Sequence, residues 1–170
     1  MLCKLIVEGK EFDIEIMDPE LQKLVTPKKR TGYEVDEEKH NAWTVDAYDD
    51  VVQHKLLCDD RDATIYKIAN YYSDKTVAKN NARADRLMRR LRRFAVEHRE
   101  KDIDWNNFDQ LKYAIDVDYA SKDGIYVATR TYIRNFANIY FDTKESAELA
   151  IKEFRDELIW YFTEYKDSLL

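Results

Sequence analysis

Between Lys75 and Glu100 the residue pattern leaves room for little except a long amphipathic helix. Ala84, Leu87, Met88, Leu91, Phe94 and Ala95 recur at intervals of three and four, the spacing that gathers side chains onto one face of an α-helix. Arg83, Arg86, Arg89, Arg90, Arg92, Arg93 and Arg99 fill the remaining faces. From Lys75 to Arg99 nine basic residues stand against Asp85 and Glu97, a local net of +7 in a chain whose formal net charge is −6. The rest of the chain therefore carries about −13, a polarised distribution that suits a binding protein.

A chain of 170 residues is long enough to bury a sizeable core, as one compact domain or two small fused ones. Hydrophobic residues make up 45% of it, and only three Gly and two Pro interrupt the sequence, which favours regular elements joined by short polar connections. Cys3 and Cys58 are the only cysteines. With no signal-like segment and no apolar run of membrane-spanning length, the chain reads as a soluble cytoplasmic protein with both thiols reduced. His40, His54, His98 and the two cysteines do not make two ligand pairs at zinc spacing, so neither a metal nor another cofactor is expected.

The fold expected is α+β, an N-terminal β-hairpin followed by two duplicated β-meander plus helix units. LCKLIV and EFDIEI alternate around Gly9 to form the hairpin from Leu2 to Ile16. Asp18 and Pro19 suit the start of a short helix ending at Leu24. Residues 1–25 thus form one segment. Residues 26–42 are charged, lack periodicity and read as a linker.

The two repeats follow, over 43–101 and 102–170. The first offers strands Trp43 to Tyr48 and Val51 to Leu57, a third apolar stretch from Thr64 to Tyr72, and then the arginine helix. The second offers Tyr113 to Tyr119, Ile125 to Tyr132, Ile133 to Phe141, and a helix from Lys144 to about Tyr165. IANYYSDKTVA, starting at Ile68, overlies FANIYFDTKESA, starting at Phe136, with one extra residue, Ile139, in the second copy. Asp142 with Glu145 has capping-box spacing, and Ser73 or Asp74 can cap the first helix. On the second helix Ala147, Ala150, Ile151, Phe154, Leu158, Tyr161, Phe162 and Tyr165 form an apolar stripe that Ile159 and Trp160 widen. A helix seated between the repeats accounts for that width; a homodimer contact is the alternative.

Two charged surfaces are candidate sites. The seven arginines either solvate the helix and pair with the abundant carboxylates, or bind phosphates or an acidic protein surface through their planar forks. Asp46, Asp49, Asp50, Asp59, Asp60 and Asp62 crowd the turns of the first repeat, and Asp116, Asp118 and Asp123 recur in the second. Satisfying turn backbones is one role for them; mimicking phosphate spacing toward a basic groove is the other. Enzymatic motifs are missing: the sequence has no Gly-rich phosphate loop, nucleophile elbow or HExxH. His54 near Asp59 and His98 near Asp102 read as surface pairs. Trp105 reads as a plug between the repeats.

The segments KKRTGYEVDEEKHNAW, ANYYSDKTVAKNNARADRLMRRLRRFAVEHRE, DWNNFDQLKYAI and IYFDTKESAELAIKEFRDELIWYFTEY give the chain its resemblance to small accessory proteins of phages and prophages of Firmicutes and of gut metagenomes. Proteins similar to it in size and charge include anti-CRISPR proteins. The resemblance implies a non-enzymatic, phage-encoded anti-defence protein in the bacterial cytoplasm, inhibiting a host RNA-guided nuclease or other defence protein by direct binding. The alternative is a nucleic-acid-binding accessory protein that uses the arginine helix.

Overall fold

The computed structural model describes residues 2–7, 10–15, 17, 31–34, 41–57, 59–120, 124–135 and 138–165. It is α+β, as the patterning requires, and divides into Met1–Glu34 and Val35–Leu170. In the smaller unit, β1 (Leu2–Val7) and β2 (Lys10–Glu15) pair antiparallel with Leu2 opposite Glu15 and Val7 opposite Lys10. The Gly9 turn, the helix expected over 19–24 and most of the 26–42 segment lie outside the described residues. Of that segment, Thr31–Glu34 forms a local turn in which Gly32 has φ 87° and the Glu34 carboxylate accepts from the backbone of Thr31 and Gly32.

The larger unit holds both repeats. β3 (Asn41–Val45) and β4 (Val51–Lys55) make a hairpin, followed by α1 (Asp60–Lys67) and α2 (Lys75–Glu97). The second repeat runs β5 (Lys112–Asp118), β6 (Gly124–Arg130), β7 (Tyr140–Phe141), α3 (Lys144–Glu153) and α4 (Arg155–Trp160), ending in a π-helical turn over Tyr161–Tyr165.

The repeats share a topology, but it is not a meander. In a meander the third strand lies beside the second. Here β7 lies beside β5, giving the order β6-β5-β7, and in the first copy Tyr72 bridges Trp43 of β3, on the strand that also pairs with β4. The third apolar stretch of the first copy begins as helix, over Thr64–Lys67, and only Tyr72 at its end takes part in a β-bridge. Asp59 accepts from the Arg61 and Asp62 amides at 2.9 and 3.1 Å, and this cap, with Asp60 and Asp62 in the first turn, overrides the β propensity of Ile65 and Tyr66. In the second copy, among the described residues of the expected Ile133–Phe141 stretch, only Tyr140 and Phe141 are strand.

The helix starts correspond residue by residue. Asp74 caps α2 through the Thr76 and Val77 amides. Its counterpart Thr143 caps α3 through Ser146, and not Asp142 as the capping-box spacing suggests. The Asp142 carboxylate instead accepts from the backbone amides of Glu100 and Lys101 at 2.8 and 2.7 Å, fastening the segment that leaves α2 to the start of α3.

One core serves both repeats. Leu87, Leu91 and Ala95 of α2 cluster with Phe141 of β7, Ala147 and Ala150 of α3, Phe154, and Leu158 of α4. Tyr113 and Ile115 of β5, with Ile125 and Val127 of β6, pack against this cluster from one sheet face. The alternate residues Ala114 and Ala128 are buried on the other face. α2 also contacts β3 and β4. The wide C-terminal stripe is therefore used within the chain: Trp160 is buried under the Arg83 guanidinium at 3.8 Å, and the Tyr165 hydroxyl donates to Asn81 at 2.7 Å. Among the described residues no helix is long and apolar enough to cross a membrane.

Candidate functional site

The arginine face is largely engaged from within the molecule. The β3–β4 turn is closed by the Asp46 carboxylate, which accepts from the Tyr48 and Asp50 amides at 2.8 and 2.9 Å. That turn holds Asp49 in the left-handed region at φ 67° and presents its carboxylate to α2. Arg89 donates to both carboxylate oxygens, and Arg86 donates to Oδ2 and to the Asp49 carbonyl. The hydrogen bond from Arg89, reinforced by the charges of both guanidinium groups, holds the Asp49 carboxyl below its ordinary 3.8.

Further along α2, Arg90 meets Glu157 at 2.7 Å and lies over the Phe154 ring. Arg93 pairs with Glu97 at 3.6 Å, one turn on. Arg83 caps Trp160. Arg92 and Arg99 are exposed and make no ion pair among the described residues. These surface pairs are each worth about 0.2–1 kcal/mol, so their main effect is on the field: anchored carboxylates offset much of the helix's positive charge where a polyanion would approach.

The six aspartates of the first repeat do not converge. Asp46 closes a turn, Asp59 caps α1, and Asp49 meets the arginines. Asp62 accepts from the Leu57 amide at 2.6 Å and pairs with His54 Nε2 at 2.8 Å, so His54 partners Asp62 and not Asp59. Asp50 and Asp60 remain exposed. In the second repeat Asp116 pairs with Arg130 at 2.9 Å, Asp118 accepts from the Ala120 amide, and Asp123 lies outside the described residues. Among the described residues no three His, Cys, Asp or Glu side chains gather as metal ligands would. His98 stacks on Phe94 at 3.8 Å and engages the Phe94 carbonyl, so it is not a partner of Asp102.

Two features escape the sequence patterns. The first is built on Lys112, whose side chain is fully buried and donates to the carbonyls of Asn107 and Thr131 at 2.6 and 3.1 Å. Trp105, expected between the repeats, lies instead against Tyr140 of the second sheet, with Lys112 and Arg134 near its ring face. Large apolar residues close in the chain to the two bonded carbonyls and to Lys112 lie at the surface: Phe108, Leu111, Tyr132 and Ile133 are 65%, 46%, 70% and 50% exposed. Exposed aromatic and aliphatic side chains held on a fixed scaffold are the usual anchors of a protein interface.

The second feature is a cavity of about 270 Å³ lined by α2, the β5 edge, the approach to β7 and the C-terminal turn. Leu87, Leu91, Phe141 and Leu158 line it together with Asp116 and Asn138. At its wall, burial raises the Tyr161 hydroxyl above its ordinary 10.0, with the charge of Asp85 adding to the effect. No protein-family profile, curated protein or solved structure matches the chain.

Proposed function

We propose that this protein acts by binding another protein, through the apolar surface around Lys112. The observation that carries this reading is the contrast between its two candidate surfaces. Much of the arginine face is turned to partners within the chain, at Asp49, Glu157, Glu97 and Trp160, whereas Phe108, Leu111, Tyr132 and Ile133 stand exposed in the two segments flanking β5 and β6, whose Asn107 and Thr131 carbonyls the Lys112 ammonium joins. Anchors that are already ordered lose little conformational entropy on docking. The specific partner proposed, a host RNA-guided nuclease or another defence protein blocked by a phage-encoded inhibitor, rests on the resemblance of the quoted segments alone.

The test is a DNA-cleavage assay with a purified RNA-guided nuclease, run beside a duplex-binding assay with the protein by itself. Expected are stoichiometric inhibition of cleavage, weakened at least about tenfold by Phe108→Ser with Tyr132→Ser, and no tight duplex binding. Full inhibition by that double variant would remove the proposed surface. Strong salt-dependent duplex binding that is lost in Arg92→Glu with Arg99→Glu would instead establish the nucleic-acid reading.

A further inference from the structure

A sheet margin with no strand beside it invites pairing with another chain, and proteins guard such margins with charge, shortness or a covering group. In the larger unit the margin of β3 is closed by Tyr72, which exchanges both backbone hydrogen bonds with Trp43 at 2.8 and 3.0 Å. The Asn70 carboxamide continues the closure, accepting from the Val45 N–H and donating to the Val45 carbonyl. β4 ends in the exposed Lys55, and β7 is two residues long. β6 has none of these guards. It is seven residues long, stands outermost in the order β6-β5-β7, and carries no charge and no proline from Gly124 to Thr129.

The correspondence between the copies shows which way the β6 backbone faces. Tyr113 and Phe141 pair as Trp43 and Tyr72 do, so odd-numbered residues of β5 bond toward β7 and even-numbered ones toward β6. On β6 the even-numbered residues bond β5 in return, and Ile125, Val127 and Thr129 turn their N–H and C=O groups outward. Arg130 donates to the Thr129 carbonyl at 3.0 Å while it pairs with Asp116, closing that end of the strand. Among the described residues no backbone hydrogen bond outside the β5 ladder reaches Ile125 or Val127. Beside them a groove of about 380 Å³ runs between β6 and α3, lined by Ile125, Tyr126, Val127, Ile151 and the Lys144–Glu148 ion pair.

We propose that this margin joins two copies of the chain, whose β6 strands pair antiparallel about a two-fold axis into one sheet of order β7-β5-β6-β6-β5-β7. The occupant is a second copy because the edge is its own complement. With Tyr126 of each copy opposite Tyr126 of the other, Ile125 exchanges both backbone bonds with Val127 of the partner, and the two tyrosines meet where the strands approach most closely. Ile125 and Val127 lie on the core side of the sheet, so a second β6 lays its own Ile125 and Val127 beside them, along the groove under α3. No like charges face each other over Gly124–Thr129, although each chain carries −6 overall. One strand per copy makes a small interface, below roughly 1,200 Å², and a dissociation constant of about 100 µM is expected. The contact is independent of the surface around Lys112.

The test is sedimentation equilibrium of the whole chain from about 10 µM to about 1 mM, with amide NMR over the same range. A monomer–dimer equilibrium is expected, with concentration-dependent shifts centred on Ile125–Thr129. Tyr126 lies with Ala128 on the sheet face away from the shared core, so it can be replaced without disturbing that core. Tyr126→Lys and Tyr126→Glu each set like charges opposite one another and are expected to weaken the dimer at least about fivefold. An equimolar mixture of the two variants is expected to dimerise again, a recovery that unfolded variants could not give. A monomer at about 1 mM, shifts centred on another element, a folded Tyr126→Lys variant that dimerises as before, or a mixture of folded variants that stays monomeric would each overturn the proposal.

Discussion

Asp49 joins two kinds of constraint at a single residue. Its backbone takes a left-handed conformation that costs a non-glycine residue about 1–2 kcal/mol, and its carboxylate meets Arg86 and Arg89. Because the folded protein holds this carboxyl below 3.8, the ion pairs contribute stability above that pH and lose it as the pH falls through the depressed value. Asp49→Asn keeps a residue tolerant of positive φ but removes the charge. It is expected to cost up to about 1 kcal/mol at neutral pH, after allowance for solvent screening, with the deficit vanishing under strong acid; urea titrations across pH measure it, and a constant deficit would contradict the assignment. Lys112 is the opposite case, a cation buried beneath a sheet. Lys112→Met leaves the Asn107 and Thr131 carbonyls without their donor, and an expected loss of about 2 kcal/mol follows. An unchanged urea midpoint would show that the staple is dispensable. The partnership of Asp49 with Arg86 and Arg89 could not be read from the sequence, because the residues are 37 and 40 positions apart and any of the surplus carboxylates could have served.

At the scale of elements, local chemistry was legible and pairing was not. The α2 stripe is strongly periodic over many turns, and Leu87, Leu91 and Ala95 are buried as the spacing requires. α1 carried its own start signal in Asp59, Asp60 and Asp62, but the β-branched and aromatic residues after it pointed to a strand. Which strand lies beside which depends on long-range contacts that periodicity does not encode, so the order β6-β5-β7 emerged only from the structure. The correspondence of the two helix starts can be tested directly. Thr143→Ala is expected to lose about 1 kcal/mol, while Thr143→Asp, which installs the cap used by Asp74, should lose almost nothing; comparable losses in thermal denaturation would mean that the two starts are not equivalent. Leu91→Ala, in the centre of the shared cluster, is expected to cost about 2–5 kcal/mol, and a much smaller change in urea midpoint would place the core elsewhere.

For the molecule as a whole, the placement of α2 matters most. By sequence it closes the first repeat, yet Leu87, Leu91 and Ala95 lie in one cluster with Phe141, Ala147 and Leu158 of the second. The second repeat therefore lacks a wall of its core when α2 is taken away. Residues 102–170 expressed alone are expected to give a poorly dispersed amide spectrum, whereas 35–170 should unfold in one cooperative transition. A well-dispersed spectrum from 102–170 would show that the copies are autonomous. The charge surplus that makes α2 conspicuous in the sequence is met in part from within, since several of its guanidinium groups are engaged within the chain.

A mechanical consequence follows from that helix. Its 23 residues form a rod about 34 Å long that touches β3 and β4 as well as α3 and the terminal turn. A load applied between residues 41 and 165 would reach each small sheet through this common spar, so rupture is expected as a single force peak with no intermediate plateau. Torque on the spar would be felt at both sheets together.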